Sequence, residues 1–353
     1  MEKPLKVLLA GYYGFSNFGD EALLYSTRSL LSRTADGLGR ELEFSLLDQS
    51  GHAGFFSIPR RSAYQAIKAI ASSDLVVFGG GGIFQNQTSN RSLVYYLSIL
   101  RLSRLLCRPT LLLGTGFIPV NGWFWRYATA SSVKKSAVAV RDPESLTFLE
   151  SRSVKAVLSA DLLFNYPITV VRSPESANKP GNIYFNVRRF TDDSEERGFK
   201  ELLVSLSQRG FSLTGLSLAP EDTACMRPLL KDQSLKISGF HVMDKSPHEF
   251  IPLFQPDSIF VGMRLHSLIL ATLFGIPFVA ITKDPKISAY AAECGCVSLD
   301  LSKPEAVFGA IENVAENFRT ECRNIRTVAD SFTRRAIVNE EIAMQVMQGI
   351  VHL

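Results

Sequence analysis

Phe260 to Lys286, FVGMRLHSLILATLFGIPFVAITKDPK, is compatible with few folds. Ile259 to Val261 are β-branched or aromatic and predict a buried strand, Gly262 breaks it, and Leu265 to Phe274 predict a helix. Gly275 stops that helix, Pro277 reinforces the stop, and Phe278 to Ile281 predict the next parallel strand. A strand that turns directly into a helix start belongs to an open α/β sheet. Unpaired amides and the helix dipole both favour an anion at that junction. This chain places Arg264 and His266 there. A guanidinium beside an imidazole suits a ligand that carries phosphate and carboxylate.

The same grammar runs through both halves. In the first, strands are expected at Lys6–Ala10, Phe44–Leu47, Asp74–Phe78, Thr110–Leu113 and Val138–Val140. Helices are expected from near Asp20, over Ala63–Ala71, about Leu93–Leu106 and Ser145–Ser151. The stretch from Arg172 to Asn182 has the Ser, Pro, Gly and Asn content of a linker. Beyond it the pattern restarts with a strand at Ile183–Val187, a helix near Ser194–Arg209, a strand at Phe211–Leu218 and a helix at Glu221–Leu230. From Pro304 onward the chain predicts mostly helix. Alternation of this kind implies parallel sheets with crossover helices. SSDLVVFGGGGIF (Ser72 to Phe84) and QPDSIFVGMRLHS (Gln255 to Ser267) make one architectural move twice: an aspartate, an apolar strand, glycine, a helix entry. The expected fold is α/β, with two Rossmann-like domains, 1–172 and 183–353, facing across a cleft and joined by a linker at about 173–182. The loops at the C-terminal strand edges should converge on that cleft.

A chain of 353 residues suits two such domains. Net charge is +4 with no long basic run, which disfavours nucleic acid as a partner and fits small anionic substrates or transient contact with an anionic membrane. The five cysteines include one close pair, Cys294 and Cys296, and no second pair to complete a zinc site, so no metal is expected. The N-terminal apolar run is too short for a signal peptide and no stretch is long enough to span a bilayer, so the expected location is cytoplasmic. Arg101, Arg104 and Arg108 recur at helical spacing in YYLSILRLSRLLCR, close to NGWFWR. That pattern fits either a core helix with a solvated arginine face or a peripheral membrane contact at the inner face.

Three loops could carry chemistry. In GYYGFSNFGDEALL, Gly11, Gly14 and Gly19 permit close backbone approach, and Asn17, Asp20 and Glu21 supply polar groups at a helix start, where the acids also complement the dipole. The spacing is not that of a dinucleotide fingerprint. Gly79, Gly80, Gly81 and Gly82 then suggest a flexible backbone with unpaired amides, followed by Gln85, Asn86, Gln87 and Thr88 as hydroxyl binders. The lysine and serine of a P-loop are missing, so a sugar fits better than a nucleoside triphosphate. Arg141, followed by Asp142, and Arg188 with its neighbour Arg189 stand at further strand ends.

Taken together, GYYGFSNFGDEALL, DLVVFGGGGIFQN, GTGFIP, AVRDPESLTFLE, SADLLF and MRLHSLILATLFGIPFVAITKDPK resemble the polysaccharide pyruvyl transferase family over most of the chain. The MRLH segment with its downstream DPK is the most specific part. The resemblance implies a fold like the two-domain GT-B glycosyltransferases. The implied reaction transfers a pyruvyl group from phosphoenolpyruvate to sugar hydroxyls of a cell-surface glycan precursor, as a cyclic ketal. It makes phosphoenolpyruvate a co-substrate, with no cofactor, and the acceptor a glycan that could be lipid-linked. The first domain would take the acceptor and the second phosphoenolpyruvate, near Arg264 and His266 with Arg141 a third basic residue. Arg188 or Arg189 and Lys286 would complete the basic set. His266 is the expected general acid, since an imidazole titrates near neutrality, and Asp20 or Glu21 the expected base. The competing readings are a glycosyltransferase of the same fold using a nucleotide sugar and a non-catalytic sugar- or anion-binding protein.

Overall fold

A computed structural model describes residues 3–49, 51–87, 89–167, 179–232, 235, 237–243, 253–255 and 257–351. The expected linker at 173–182 lies mostly outside them. The chain forms two compact units. One comprises Met1–Phe15, Asp20–Pro167 and Phe332–Leu353, the other Ser16–Gly19 and Ile168–Ser331.

The first unit carries β1 (Leu5–Ala10), β2 (Leu42–Asp48), β3 (Phe56–Pro59), β4 (Leu75–Gly81), β5 (Thr110–Thr115), β6 (Ala137–Val140) and β7 (Val157–Leu158). Its helices are α1 (Phe18–Asp36, whose first two residues group with the second unit), α2 (Ala63–Ser72), α3 (Asn90–Leu105), α4 (Trp123–Val133) and α5 (Pro143–Glu150). The sheet order is β3-β2-β1-β4-β5-β6-β7, with parallel pairings throughout. The second unit carries β8 (Asn182–Asn186), α6 (Asp193–Gln208), β9 (Ser212–Ser217), α7 (Pro220–Lys231), β10 (Ile237–Val242) and β11 (Ser258–Gly262). It continues with α8 (Leu265–Leu273), β12 (Phe278–Ile281), α9 (Pro285–Glu293), β13 (Val297–Leu299), α10 (Pro304–Glu316) and the start of α11 (Phe318–Val351). Its sheet order is β10-β9-β8-β11-β12-β13, again all parallel. Each sheet therefore reverses direction once, between β1 and β4 in the first and between β8 and β11 in the second. At such a switch point the flanking loops part and leave a crevice at the C-terminal strand ends.

The central strands are covered on both faces, as a parallel sheet requires. Every residue of β4, β8 and β11 is buried. Leu8, Phe78, Phe84, Tyr96 and Phe117 anchor the first core, where Phe84 and Phe117 stack at 4.9 Å. Phe185, Phe199, Val261 and Ile311 anchor the second. Burying each such side chain contributes about 1.5–3 kcal/mol.

The expected second domain, 183–353, is corrected at its end, because Phe332–Leu353 belongs to the first unit. Buried Asn339 holds it there. Its amide donates to Ala160 O at 3.2 Å and Asn165 Oδ1 at 2.9 Å, and its Oδ1 accepts the Gly114 amide at 3.0 Å. Arg335 donates to Ser159 O and Arg141 O. Arg108 is not on the same helical face as Arg101 and Arg104, because α3 ends at Leu105; it donates to Ala71 O instead.

Candidate functional site

At the switch point of the second unit, Arg264 follows β11 and takes the N-cap position of α8. Among the described residues no side chain caps this helix, as at α4, α7 and α10, whereas Asp142, Asp192 and Asp284 cap α5, α6 and α9. An uncapped helix start keeps its positive end available to an anion. The Arg264 guanidinium is not loose. Its Nε donates to both carboxylate oxygens of Asp222 at 2.9 and 2.8 Å, and Nη2 donates to Asp222 Oδ1 at 2.6 Å and Glu221 Oε1 at 2.7 Å. Asp222 is 0% exposed and also accepts from the Asn186 amide and Leu218 N. Burial works against the charge on Arg264, but Asp222 and then Glu221 outweigh it and hold its pKa above the ordinary value. Burial likewise raises the Glu221 carboxyl, and Arg264 more than reverses this. Nη1 keeps no partner among the described residues. Arg264 is thus fixed through two nitrogens and can present the third.

His266, in the first turn of α8, packs on Gly19. A Cβ on Gly19 would collide with the imidazole, so this glycine is required by close approach. Ser16–Gly19 is anchored in this unit by the Phe18 amide, which donates to Leu218 O at 2.8 Å. Asn17, expected to bind substrate, uses its Oδ1 to accept the Gly19 amide at 3.2 Å and so serves the start of α1.

A cavity of about 500 Å³ reaches Met263, the residue before Arg264, but neither Arg264 nor His266 lines it. Arg188 and Arg189 both line it, with Thr191, Glu195, Lys283, Asp284 and Asp300. This cavity does not choose between the two arginines. Neither makes a side-chain hydrogen bond or ion pair among the described residues. Lys286, expected to bind substrate, is not in this lining. Its backbone amide donates to Asp284, the α9 cap, and the lysine facing the cavity is Lys283, paired with Glu195 at 2.7 Å.

At the switch point of the first unit the glycine run departs from expectation. Gly79 to Gly81 are buried residues of β4, and β4 pairs with β5 through Gly79 and Gly81. They are not a flexible loop. Gly79 has no room for a Cβ beside Thr27 and Tyr13, while Gly80 and Gly81 have φ of 76° and 81°. A Cβ on Gly81 would come 3.6 Å from Asp20 Oδ1, and one on Gly82 would come 3.6 Å from Arg141 Nη2. Those are ordinary contact distances, so Asp20 and Arg141 both lie against the strand end without the glycines being what admits them. Arg141 donates to Asp161 at 3.0 Å, with Asp142 farther away at 3.7 Å, since Asp142 caps α5.

Glu21 is engaged. Its Oε1 accepts the Gly14 amide at 2.9 Å and its Oε2 meets His52 Nε2 at 2.6 Å. His52 Nδ1 meets Asp48 Oδ2 at 2.6 Å. The bond to Glu21 raises the His52 pKa to about 9 against the opposing effect of burial, so His52 is an imidazolium at neutral pH. Asn86 bridges to Asn90 and to the backbone of Asn121, and Gln85 accepts the Gln87 amide. Both side chains shape the loop, and Thr88 lies outside the described residues. A separate hollow of about 890 Å³ is lined by Tyr12, Phe15, Arg60, Tyr95 and Leu102 among others. No group of three or more His, Cys, Asp or Glu placed to hold a metal occurs among the described residues.

A family model for polysaccharide pyruvyl transferases matches residues 17–285, a span that contains Asp20, Glu21, Arg141, Arg188, Arg264 and His266. The chain belongs to the polysaccharide pyruvyl transferase family. No curated protein matches the chain in sequence. Among solved structures it is similar to the UDP-GlcNAc 2-epimerase of Neisseria meningitidis, with TM-score 0.58 and 13% identity over 98% of this chain and 99% of that one. It is also similar to Anabaena Alr3699/HepE, with TM-score 0.60 and 10% identity over 98% and 100%. Acinetobacter baumannii MurG gives 0.55 and 12% over 99% and 100%. At these identities the likeness establishes the fold, that of the two-domain GT-B glycosyltransferases.

Sequence reading missed Asp222, Glu221, His52, Asp48, Asp161 and Lys283. The Asp222–Arg264 pair spans 42 residues and the Arg141–Asp161 pair spans 20, so neither has a local signal. His52 stands between Gly51 and Gly54, outside any periodic segment. The cysteine pair offers no nucleophile, since burial pushes the Cys294 and Cys296 thiols up to about 12.

Proposed function

We propose that this family member transfers a pyruvyl group from phosphoenolpyruvate to two hydroxyls of a sugar, forming a cyclic ketal and releasing phosphate. The observation that carries this reading is Arg264, fixed by Asp222 at the uncapped start of α8 with His266 two residues on. Phosphoenolpyruvate carries phosphate and carboxylate close together, and a guanidinium with one nitrogen to spare suits either group. Arg188 and Arg189 supply further positive charge in the same unit, and Arg141 is a candidate anion ligand in the first. In the scheme, His266 delivers a proton to C3, which makes C2 electrophilic. A sugar hydroxyl adds to C2 and loses its proton to a base, for which Asp20 and Glu21 are the candidates, Glu21 being paired with His52. Phosphate leaves with its bonding pair as C2 becomes an oxocarbenium. A second hydroxyl closes the ketal, so that of the two hydroxyl protons one balances the proton now on C3 and the other goes with the phosphate.

The acceptor is proposed to be a glycan precursor, free or lipid-linked, handled on the cytoplasmic side. No helix among the described residues is long and apolar enough to cross a membrane. The test is acceptor-dependent phosphate release from phosphoenolpyruvate over a panel of mannose-, glucose- and galactose-type acceptors. Release by the wild type, lost in Arg264→Ala, supports the reading. Saturable binding of a uridine diphosphate sugar without phosphoenolpyruvate binding would replace it with nucleotide-sugar transfer.

A further inference from the structure

Between Asp74 and Asp142 the chain contains no acidic residue, yet it carries eight basic ones: Arg91, Arg101, Arg104, Arg108, Arg126, Lys134, Lys135 and Arg141. The rest of the chain therefore has more acids than bases, and its small net positive charge hides a strong local one. The acid-free stretch includes α3 and α4, which pack together through the Arg101 Nε donating to Ser132 Oγ at 3.0 Å. Large apolar side chains stand out from this pair. Trp123 is 80% exposed, Tyr127 68%, Phe124 53% and, at the end of α3, Leu105 77%. Trp123, Arg126, Tyr127, Lys134 and Arg152 line one open depression of about 620 Å³, with no carboxylate in the lining. Arg126 is braced by Val120 O at 2.8 Å, and Arg152 lies over the Phe148 ring at 4.5 Å.

Exposure of three aromatics on a helix of 11 residues needs a reason, because water penalises such a patch. Tryptophan and tyrosine favour the boundary between lipid headgroups and acyl chains, and arginine and lysine favour an anionic leaflet. Both preferences meet on one helix here. A soluble acidic protein would match the charge but would not call for indole, phenol and phenyl groups held outward around a shallow basic depression. We propose that the α4 face, with the end of α3 beside it, is a docking surface for an anionic lipid bilayer. The protein binds as a peripheral protein, with Trp123, Phe124 and Tyr127 at headgroup depth and Arg126 and Lys134 on lipid phosphates. This inference stands independently of the pyruvyl reading, since Trp123, Phe124, Tyr127, Arg126 and Lys134 are not candidate site residues.

The 353-residue chain is sedimented with phosphatidylcholine vesicles, with and without phosphatidylglycerol, at low and high salt, while tryptophan emission is recorded. Strong partitioning onto the anionic vesicles, weakened by salt and accompanied by a blue shift, is the expected result. Trp123→Ser/Phe124→Ser/Tyr127→Ser should reduce partitioning at least tenfold. Arg126→Glu/Lys134→Glu, which leaves the aromatics and therefore the helix surface in place, should remove the preference for anionic lipid by about tenfold or more. Wild-type binding to neither vesicle, equal binding to both, or binding unchanged in both variants overturns the proposal. So does self-association of the wild type that the aromatic variant abolishes while vesicles remain unbound, since the face would then be an interface between copies of this chain.

Discussion

Replacing Asp222 by asparagine keeps the side-chain shape and removes one charge from a fully buried position. In the wild type that carboxylate accepts three hydrogen bonds from Arg264, one from Asn186 and one from the Leu218 amide. Removing one partner of a buried pair typically costs about 3–5 kcal/mol, because the other charge is left unmatched. Two features lower that figure here: Arg264 is 13% exposed, and Glu221 continues to pair with its Nη2. The asparagine oxygen can still accept one bond, so about 2–3 kcal/mol is expected for Asp222→Asn and about 3–4 kcal/mol for Asp222→Ala. Both tryptophans, Trp123 and Trp125, are in the first unit, so their fluorescence would not follow the loss. Amide hydrogen exchange of peptides covering β8 and β11 at several urea concentrations would. Asp222→Asn should speed exchange in those peptides by roughly 30- to 150-fold under native conditions and leave β1 and β4 unchanged. It should also raise the KM for phosphoenolpyruvate, because a loosened Arg264 is no longer held in place. Exchange within threefold of wild type in β8 and β11, with KM unchanged, would refute the view that Asp222 positions Arg264.

Other consequences can be checked separately. His52 holds a proton in the folded protein up to about pH 9, which the unfolded chain releases near 6.5. Its stabilisation is therefore fully present below pH 6.5 and is lost as pH rises through 9. Discounted for partial solvent screening it is worth about 1–2 kcal/mol, so urea denaturation followed by tryptophan emission should show the wild type exceeding His52→Gln at pH 6 and matching it by pH 10. A pH-independent gap would contradict the charged pair with Glu21 and Asp48. Gly19→Ala forces the His266 ring to move, and phosphate release should fall at least tenfold, whereas unchanged turnover would remove His266 from that position. Asn339→Leu leaves the Gly114 amide unsatisfied, while Ala160 O keeps the Ser159 hydroxyl, and should cost the first unit about 1–3 kcal/mol in the same fluorescence assay. A cost below 1 kcal/mol would mean that the end of α11 is held by other contacts.

The twice-made pattern of aspartate, apolar strand and glycine in Ser72–Phe84 and Gln255–Ser267 proved to mark β4 and β11, the two strands that follow the reversal of sheet order. Continuous apolar runs are legible because a strand covered on both faces needs them. The short edge strands β3, β7 and β13 lack such runs and were not seen in the sequence. Arg264 and His266 were legible because a strand and a helix bracket them closely. Their supports were not: Asp222 arrives from α7 and Gly19 from the far end of the chain, and such distances are set by topology rather than by local pattern. The glycine run misled for a related reason. Chemically it looks like a flexible loop, but Tyr13, Thr27, Leu23 and Arg141 crowd it from elements far away in sequence. The return of Phe332–Leu353 to the first unit is held in part by Asn339 and Arg335, polar residues in an otherwise ordinary helix, which announce nothing by spacing.

The most direct test of pyruvyl transfer follows the carbon rather than the phosphate. Phosphoenolpyruvate labelled with carbon-13 at C2 is incubated with the protein and a glycan acceptor, and the purified glycan is examined by nuclear magnetic resonance. The label is expected in the glycan as a quaternary ketal carbon joined to two sugar oxygens, and Arg264→Ala and His266→Ala should each abolish it. Label recovered wholly as free pyruvate or unreacted phosphoenolpyruvate, with an acceptor that the protein demonstrably binds, would contradict pyruvyl transfer.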